Sequence, residues 1–264
     1  MAIRDITLGQ YFPGESAIHR LDPRVKIVAT LAYLVSLFLV RELPLFLIPA
    51  AFLAVVIIIS RVPFKFMAKG LKAVILLIIL TMVINAFCTP GTPIFTVWKI
   101  TLSVEGVYRA LFMAIRLVLL IFGSSLLTLT TKPIALTDGL ERLMAPLTKI
   151  GIPSHEIAMM MTIALRFIPT LLEETDKIMK AQQARGADFE NGNLKEKAKA
   201  LIPLLVPLFV SAFRIAGDLA MAMEARCYHG GEGRTRMNEI KFSGRDAAAM
   251  LILAAYICVI IITR

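Results

Sequence analysis

The sequence predicts an all-α integral membrane protein with about five transmembrane helices, four of them consecutive and one at the end of the chain. Of its 264 residues, 58% are hydrophobic and only 18% are charged, and its mean hydropathy is +0.76. These values are typical of membrane proteins and not of a soluble domain. A cytoplasmic α-helical domain is predicted between the fourth span and the last.

Five apolar segments carry this prediction, because each approaches the length of about 20 residues that a bilayer requires. They cover residues 25–40, 44–60, 71–88, 107–130 and 247–263. Only three residues separate the first two segments, so we expect a tight antiparallel pair. In the fourth segment, Arg109 lies near the outer boundary and can reach the membrane surface. Arg116 lies deeper, so we expect it to face the bundle interior and find a partner. A structural hydrogen bond is favoured, and a substrate or ion path is the alternative.

The distribution of basic residues predicts the orientation of the chain. The net charge is +10, and basic residues cluster before the first span and between the second and third, where the sequence carries Arg61, Lys65, Lys69 and Lys72. The positive-inside rule therefore places the N-terminus in the cytoplasm of a multi-pass protein of the cell membrane. A nucleic-acid partner is not expected, since no basic groove with interleaved aromatic residues is evident.

The chain is accordingly divided into three parts. Residues 1–131 form a membrane domain with four spans, residues 132–246 a cytoplasmic domain of amphipathic helices, and residues 247–264 the final span. Helical periodicity and stop signals predict three helices in the cytoplasmic domain, near residues 133–150, 154–184 and 194–225. Within the third, the apolar run 202–213 is judged too short to cross a membrane.

Two of these helices end in nearly the same short motif. Ala181-Gln182-Gln183-Ala184-Arg185-Gly186 ends one, and Ala222-Met223-Glu224-Ala225-Arg226-Cys227 ends the other. Alanines three residues apart leave a narrow helix face that another protein can approach, and the arginine presents a rigid charged fork. The simpler alternative is a pair of ordinary helix ends with favourable C-terminal residues. Their shared compartment and position favour two docking sites for partner proteins, formed by Ala184, Arg185, Gly186, Ala225, Arg226 and Cys227.

The same two helices carry a broad apolar face that exceeds what the domain itself needs to cover. It includes Met159, Met160 and Met161 on one helix and Leu204, Leu205 and Phe209 on the other. Large apolar patches mark partner surfaces, and methionine adapts to more than one partner shape. Packing within the domain is the alternative.

No catalytic motif, metal site or cofactor site is expected. The sequence lacks a glycine-rich phosphate-binding loop that ends in Lys-Ser or Lys-Thr, so ATP is not expected to bind this chain. Three cysteines and three histidines are scattered without the spacing of metal ligands.

Three stretches of the chain resemble the transmembrane T component (EcfT/CbiQ-like) of energy-coupling factor transporters, the vitamin and metal-ion importers of the ABC superfamily. They are His19-Arg20-Leu21-Asp22-Pro23-Arg24-Val25-Lys26, Arg166-Phe167-Ile168-Pro169 with the following 181–186 motif, and Ala225-Arg226-Cys227. Cys227 departs mildly from the glycine or serine that family members often carry there.

The resemblance implies the partners. Two cytoplasmic ATPase subunits would each receive one arginine-bearing helix end in a groove where the arginine meets acidic side chains. The helices of the cytoplasmic domain would then act as coupling helices, and their apolar face would hold a membrane-embedded substrate-binding S component. The T component itself would neither hydrolyse ATP nor bind substrate tightly.

Two other functions are alternatives to a coupling subunit. A membrane-embedded enzyme acting on a lipid or prenyl substrate would need clustered acids at the membrane boundary. The dense cluster of Glu173, Glu174 and Asp176 is more typical of a solvated helix face. A stand-alone channel or carrier would need polar residues along several spans, whereas these spans are mostly Leu, Ile, Val and Ala.

Overall fold

The computed structural model describes residues 11–97, 100–151, 153–187, 189, 194–230 and 242–263. Within these ranges the chain is helical apart from one two-stranded antiparallel hairpin. The predicted all-α membrane architecture is confirmed.

The helices follow one another with short connections. There are two short 3-10 segments in the described residues: Pro44–Phe46 lies before the second α-helix, and Ala145–Ile150 follows the fifth. The main elements are α1 (Pro23–Leu39), α2 (Leu47–Ser60), α3 (Phe64–Cys88), β1 (Pro93–Val97), β2 (Ile100–Ser103), α4 (Val104–Thr130), α5 (Pro133–Met144), α6 (Ser154–Ala184), α7 (Leu194–Glu224) and α8 (Gly244–Thr263). Helix α3, which was predicted as the third span from residue 71, begins seven residues earlier, at Phe64. Lys65, Lys69 and Lys72 therefore lie in its first turns and not in the preceding loop.

Five described helices are long and apolar enough to cross a membrane, but they are not the five that the sequence predicted. They are α3, α4, α6, the part Leu201–Glu224 of α7, and α8. By contrast, α1 has 17 residues and α2 has 14. The prediction that the apolar run 202–213 is too short to cross a membrane is wrong, because the helical segment that contains it is long enough. The helix continues through Pro203 and Pro207 to a total of 31 residues.

By compactness the chain forms two units, which are described separately. Of the described residues, those within 11–140 and 242–263 form the bundle unit, and those within 141–230 form the α6–α7 unit. The division falls inside α5, whereas the sequence placed it at residues 131 and 132. The assignment of three parts by membrane topology stays a prediction.

The core of the bundle unit lies where α1, α2, α4 and α8 meet. The rings of Tyr33 and Tyr256 flank that of Phe52, with ring centroids 6.1 Å and 4.3 Å away. The Tyr256 hydroxyl lies 2.7 Å from Ser36 Oγ. Gly123 is required for this packing, since a Cβ there would lie 2.7 Å from Cε1 of Tyr33. Helix α8 is thereby fixed against α1.

Arg116 finds its partner inside this bundle, as the sequence predicted. Its Nη2 donates to the carbonyl oxygen of Val40, 3.1 Å away, at the C-terminal end of α1. Its guanidinium carbon lies 5.3 Å from the ring centroid of Phe38 and 4.7 Å from that of Phe112. The hydrogen bond satisfies a carbonyl at a helix end, and both rings attract the cation. These contacts support a structural role.

Replacing Arg116 by methionine should therefore lower stability moderately. We expect a loss of about 1–2 kcal/mol, from the unpaired Val40 carbonyl and the lost cation–π contacts. Thermal unfolding of the purified protein in detergent measures it. Arg109→Met is the matched control, because Arg109 is exposed one heptad earlier on the same helix. Equal melting temperatures for the two variants would contradict the structural role.

In the α6–α7 unit, the two long helices pack along an apolar seam. The seam is formed by Ile163, Phe167 and Leu171 of α6 and by Ala212, Ile215, Ala216 and Leu219 of α7. The α6 residues recur every four positions, which places them on one helix face. On α7 the seam reaches Leu219, two turns before Arg226, whereas on α6 it ends at Leu171, fourteen residues before Arg185.

Candidate functional site

The C-terminal end of α6 is closed by a Schellman motif. The amide of Gly186 donates to the carbonyl of Gln183 at 2.9 Å, and the amide of Ala187 donates to that of Gln182 at 3.0 Å. Gly186 has a φ of 90°, the left-handed region that this motif requires. Arg185 is therefore the last residue before the chain reverses, and its side chain is exposed.

The end of α7 has the same hydrogen bonds at the same relative positions. The amide of Cys227 donates to the carbonyl of Glu224 at 2.8 Å, and the amide of Tyr228 donates to that of Met223 at 3.0 Å. Cys227 occupies the position of Gly186, with a φ of 54°. Arg226 is exposed at the position equivalent to Arg185. The repeated sequence motif thus forms one repeated backbone structure.

This geometry determines what the two ends present to a partner. Each end exposes an alanine and the arginine that follows it. These are Ala184 and Arg185 on α6, and Ala225 and Arg226 on α7. A guanidinium group carries five donors in a fixed planar arrangement that suits a pair of carboxylate oxygens. Because the cap fixes the backbone on both sides of the arginine, the charge is presented at a defined place on the helix axis.

Cys227 occupies a conformation that disfavours a side chain, so its replacement by glycine should stabilise the end of α7. A non-glycine residue in the left-handed region costs about 1–2 kcal/mol, partly offset by the greater freedom of glycine in the unfolded chain. We expect a net gain of about 0.5–1 kcal/mol. Amide hydrogen exchange at Tyr228 should slow by about twofold to fivefold, since 1.4 kcal/mol corresponds to tenfold.

Gly186→Ala is the complementary variant at the other end. No atom lies within 4 Å of a Cβ built on Gly186, so the whole effect comes from its backbone conformation. Exchange at Ala187 should accelerate, opposite in sign to the effect of Cys227→Gly. Faster exchange at Tyr228 in Cys227→Gly would contradict the interpretation of the cap.

The surroundings of the two ends differ. Beside the end of α7 lies a cavity of about 400 Å³, lined by Met159, Ile163, Leu219, Met223, Arg226, Cys227, Tyr228, His229 and Gly230. His229 Nδ1 donates to the carbonyl of Cys227 at 2.8 Å, which orients the chain after the cap. Met159 therefore lies beside Arg226, and it is separated from the exposed side chains of Met160 and Met161.

The structure divides the predicted apolar face. Exposed fractions are 59% for Met160, 38% for Met161, 45% for Leu205 and 61% for Phe209, whereas Leu204 is only 7% exposed. Leu204 is therefore a buried residue and not part of an accessible surface. The apolar run along α7 suggested a continuous face, but burial separates its two sides.

The acidic cluster considered for an enzyme is a solvated helix surface. Glu173 is exposed, and Glu174 pairs with Lys177 at 3.6 Å on the same helix. Among the described residues, no group of three His, Cys, Asp or Glu side chains is placed to hold a metal ion.

The N-terminal motif contributes a buried polar network in the bundle unit. Asp22 caps α1 by accepting from the amide of Arg24 at 2.8 Å, and it accepts the Arg24 guanidinium at 2.7 Å. The amide of Asp22 in turn donates to Oδ1 of Asp246 at 2.8 Å. Lys26 Nζ donates to the carbonyls of His19 at 3.0 Å and Thr130 at 2.9 Å. The motif therefore connects the start of α1 with the end of α4 and the start of α8.

His19 completes this network on the side of the N-terminal segment. Its Nε2 donates to the carbonyl of Phe12 at 3.1 Å, and its Nδ1 accepts from the Ser16 hydroxyl at 2.7 Å. Burial lowers the pKa of His19, and the charge of Lys26 lowers it further, while the bond to Phe12 opposes them. A neutral imidazole fits both hydrogen bonds.

Sequence reasoning missed Asp246 and Thr130 as members of this network. Asp246 lies three residues after Ser243, whose amide donates to its Oδ2 at 2.8 Å. That spacing of a serine and an acidic residue before an apolar run is typical of a helix N-terminus. The signal identifies a helix start, but it carries no information about the contact with Asp22, 224 positions away.

Comparison with known proteins agrees with the resemblance. The family model described as "Cobalt transport protein" (CbiQ) matches residues 14–237. The chain is 58% identical to the "Energy-coupling factor transporter transmembrane protein EcfT" of Clostridium kluyveri, over 99% of this chain and 98% of that protein. It is 47% identical to the protein of the same description from Bacillus subtilis, over 94% of this chain and 95% of the relative. The chain therefore belongs to the CbiQ cobalt transport protein family, which includes transmembrane components of energy-coupling factor transporters.

Proposed function

We propose that this chain is the transmembrane coupling subunit of an energy-coupling factor importer. It links two cytoplasmic ABC ATPase subunits to a membrane-embedded S component that binds a vitamin or a metal ion. ATP hydrolysis belongs to the ATPase subunits, and this chain transmits their movement. It requires no cofactor of its own.

One observation carries the proposal: two helix ends with the same cap present an arginine at the same position. Each end would occupy the groove of one ATPase subunit, where Arg185 or Arg226 would pair with acidic side chains. A long helix is stiff along its axis, and α6 and α7 have 31 residues each. Movement of the helix ends would therefore reach the opposite ends of α6 and α7.

The exposed apolar side chains supply the surface for the S component. Met160 and Met161 on α6, with Leu205 and Phe209 on α7, are the members of the predicted set that remain accessible. Flexible methionine side chains suit a partner that changes its orientation during transport. Met159, beside the end of α7, is assigned to the region of ATPase docking.

The proposed topology places both arginines on the cytoplasmic side, where ATP is available. The basic residues near the start of α1 and in the first turns of α3 support a cytoplasmic N-terminus through the positive-inside rule. Residues 1–10 themselves lie outside the described residues.

The test is purification of the complex from the native membrane. The full chain, tagged at one terminus and expressed at its natural level, is solubilised in mild detergent, and its partners are identified by mass spectrometry. We expect two ATPase polypeptides, or two copies of one, and at least one small membrane protein without a nucleotide-binding motif. Recovery of the chain without any ATPase, under conditions in which a known transporter of this class remains assembled, would contradict the proposal.

A further inference from the structure

Helix α3 carries three lysines on the side that faces away from the rest of the bundle unit. They are Lys65, Lys69 and Lys72, here called the lysine stripe, and all three are exposed. With 3.6 residues in each turn, the three positions fall within about 60° of one another around the helix axis. Met67 and Ile78 lie on the opposite side of α3 and are buried.

Beyond Lys72, the side of α3 that carries the lysine stripe is apolar and exposed. Its exposed members are Leu76, Leu80, Val83 and Phe87. Because α3 is long and apolar enough to cross a membrane, an apolar side that is turned away from the bundle contacts lipid acyl chains. The lysine stripe therefore lies at one end of a lipid-facing surface.

The length of α3 places the lysine stripe at the level of the lipid headgroups. The helix extends over 25 residues, Phe64–Cys88, and no charged residue follows Lys72 within it. The hydrocarbon core requires about 20 residues, which reach back from Cys88 to about Lys69. Lys65 then lies beyond the core. Lys72 lies one turn inside it, from where its long side chain can extend the ammonium group to the headgroups.

No acidic side chain of the protein neutralises these charges. The sequence contains no Asp or Glu between Glu42 and Glu105. In the described part of the chain, no ion pair includes a lysine of the stripe or Arg61, the exposed cation that precedes α3. The ammonium groups are therefore available to an anion from outside the chain, and the phosphates of anionic lipids lie at the same depth.

We propose that the lysine stripe binds the phosphate groups of anionic phospholipids, so that the lipid beside α3 is enriched in negative charge. The continuity of the stripe with a lipid-facing surface favours lipid over an acidic protein as the occupant. Bound headgroups hold the start of α3 at one depth in the membrane. The inference does not depend on the ATPase contacts, so it can fail while the proposed function stands.

Quenching of tryptophan fluorescence by brominated lipids tests this in phosphatidylcholine vesicles that contain the full chain. Trp98→Phe removes the single natural tryptophan, and Leu76→Trp places a probe on the lipid-facing side of α3, one turn after Lys72. Phosphatidylglycerol or phosphatidylcholine, brominated on the acyl chain, is added as about one-tenth of the lipid. We expect phosphatidylglycerol to be enriched about fivefold beside the probe and to quench it correspondingly more strongly.

Two triple variants of the probe chain separate charge from structure. Replacement of the stripe by glutamine (Lys65→Gln, Lys69→Gln and Lys72→Gln) should make the two brominated lipids quench equally. Replacement of the same three residues by arginine keeps the charge and should keep the preference for phosphatidylglycerol. Should the glutamine variant fold poorly, salt provides a second measurement on the unmodified stripe. At about 1 M salt the Debye length is about 3 Å, and the preference should largely disappear.

The matched control removes three exposed cations from α6 and α7, by Lys180→Gln, Lys199→Gln and Arg214→Gln. It should retain the preference for phosphatidylglycerol. The proposal is overturned if both lipids quench the unmodified stripe equally, or if the glutamine variant still prefers phosphatidylglycerol. Equal quenching, combined with a protein partner whose co-purification requires the three lysines, would assign the stripe to an acidic protein surface.

Discussion

Replacing both Arg185 and Arg226 by alanine is expected to release the ATPase subunits while leaving the chain in the membrane. Both side chains are exposed, and the helix cap around each arginine is held by backbone hydrogen bonds, so their removal leaves the two caps intact. In the assembled transporter each guanidinium would be buried against carboxylates. Loss of one partner of such a pair costs about 2–5 kcal/mol.

The single variants should therefore weaken ATPase binding by at least about thirtyfold each. The double variant should lose binding and transport together. The measurement is pull-down of the co-purifying ATPase subunits by the tagged chain, combined with titration of the purified ATPase pair.

The matched control removes two other exposed cations from the same helices. Lys180→Ala on α6 with Arg214→Ala on α7 changes the net charge by the same amount, at positions five and twelve residues before the respective arginines. This control should bind the ATPase subunits as the unmodified chain does. An undiminished pull-down by the Arg185 and Arg226 double variant would refute the docking proposal, and an equal loss in both double variants would indicate a general effect of charge.

Replacing Asp246 by alanine is expected to cause the largest loss of stability in the bundle unit. The residue is 2% exposed, and its carboxylate accepts from the amides of Asp22 and Ser243. Its removal takes away the acceptor of the buried Asp22 amide and one of the two carboxylates, Asp22 and Asp246, whose charges act on Lys26. The loss of the buried hydrogen bond costs about 1–3 kcal/mol and the weaker compensation of Lys26 adds to this, so we expect a loss of about 3–5 kcal/mol in all.

Thermal unfolding in detergent and limited proteolysis between α7 and α8 measure this loss. Arg245→Ala is the control, because Arg245 is the adjacent residue and is exposed. Lys26→Met should also destabilise the protein, since the carbonyls of His19 and Thr130 lose their donor. An Asp246→Ala variant as stable as Arg245→Ala would show that the network does not hold α8 to α1.

Much of the helical structure could be predicted because its signals are local. Helix α6 ends at Ala184 in the sequence prediction and in the structure, since glycine at position 186 satisfies the cap. Which helices are long and apolar enough to cross a membrane was less predictable. Prolines at 203 and 207 suggested a kink or a first turn, yet α7 continues through both, with the apolar residues on either side in one helix.

Which members of a candidate surface are accessible could not be predicted from periodicity. Leu204 and Leu205 are adjacent and equally apolar, but one is 7% exposed and the other 45%. Met159 is half-buried at the cavity beside the end of α7, whereas the adjacent Met160 is 59% exposed. Hydropathy ranks these residues together, and only packing separates them.

By itself the sequence determined the membrane class, the positions of the helices and the two arginine-bearing helix ends, because hydropathy, helical period and cap residues act over a few neighbouring positions. The tertiary structure alone decided that Asp246 reaches Asp22 and that Arg116 pairs with Val40. Each of these contacts joins residues far apart in the chain, and their approach depends on how whole helices pack.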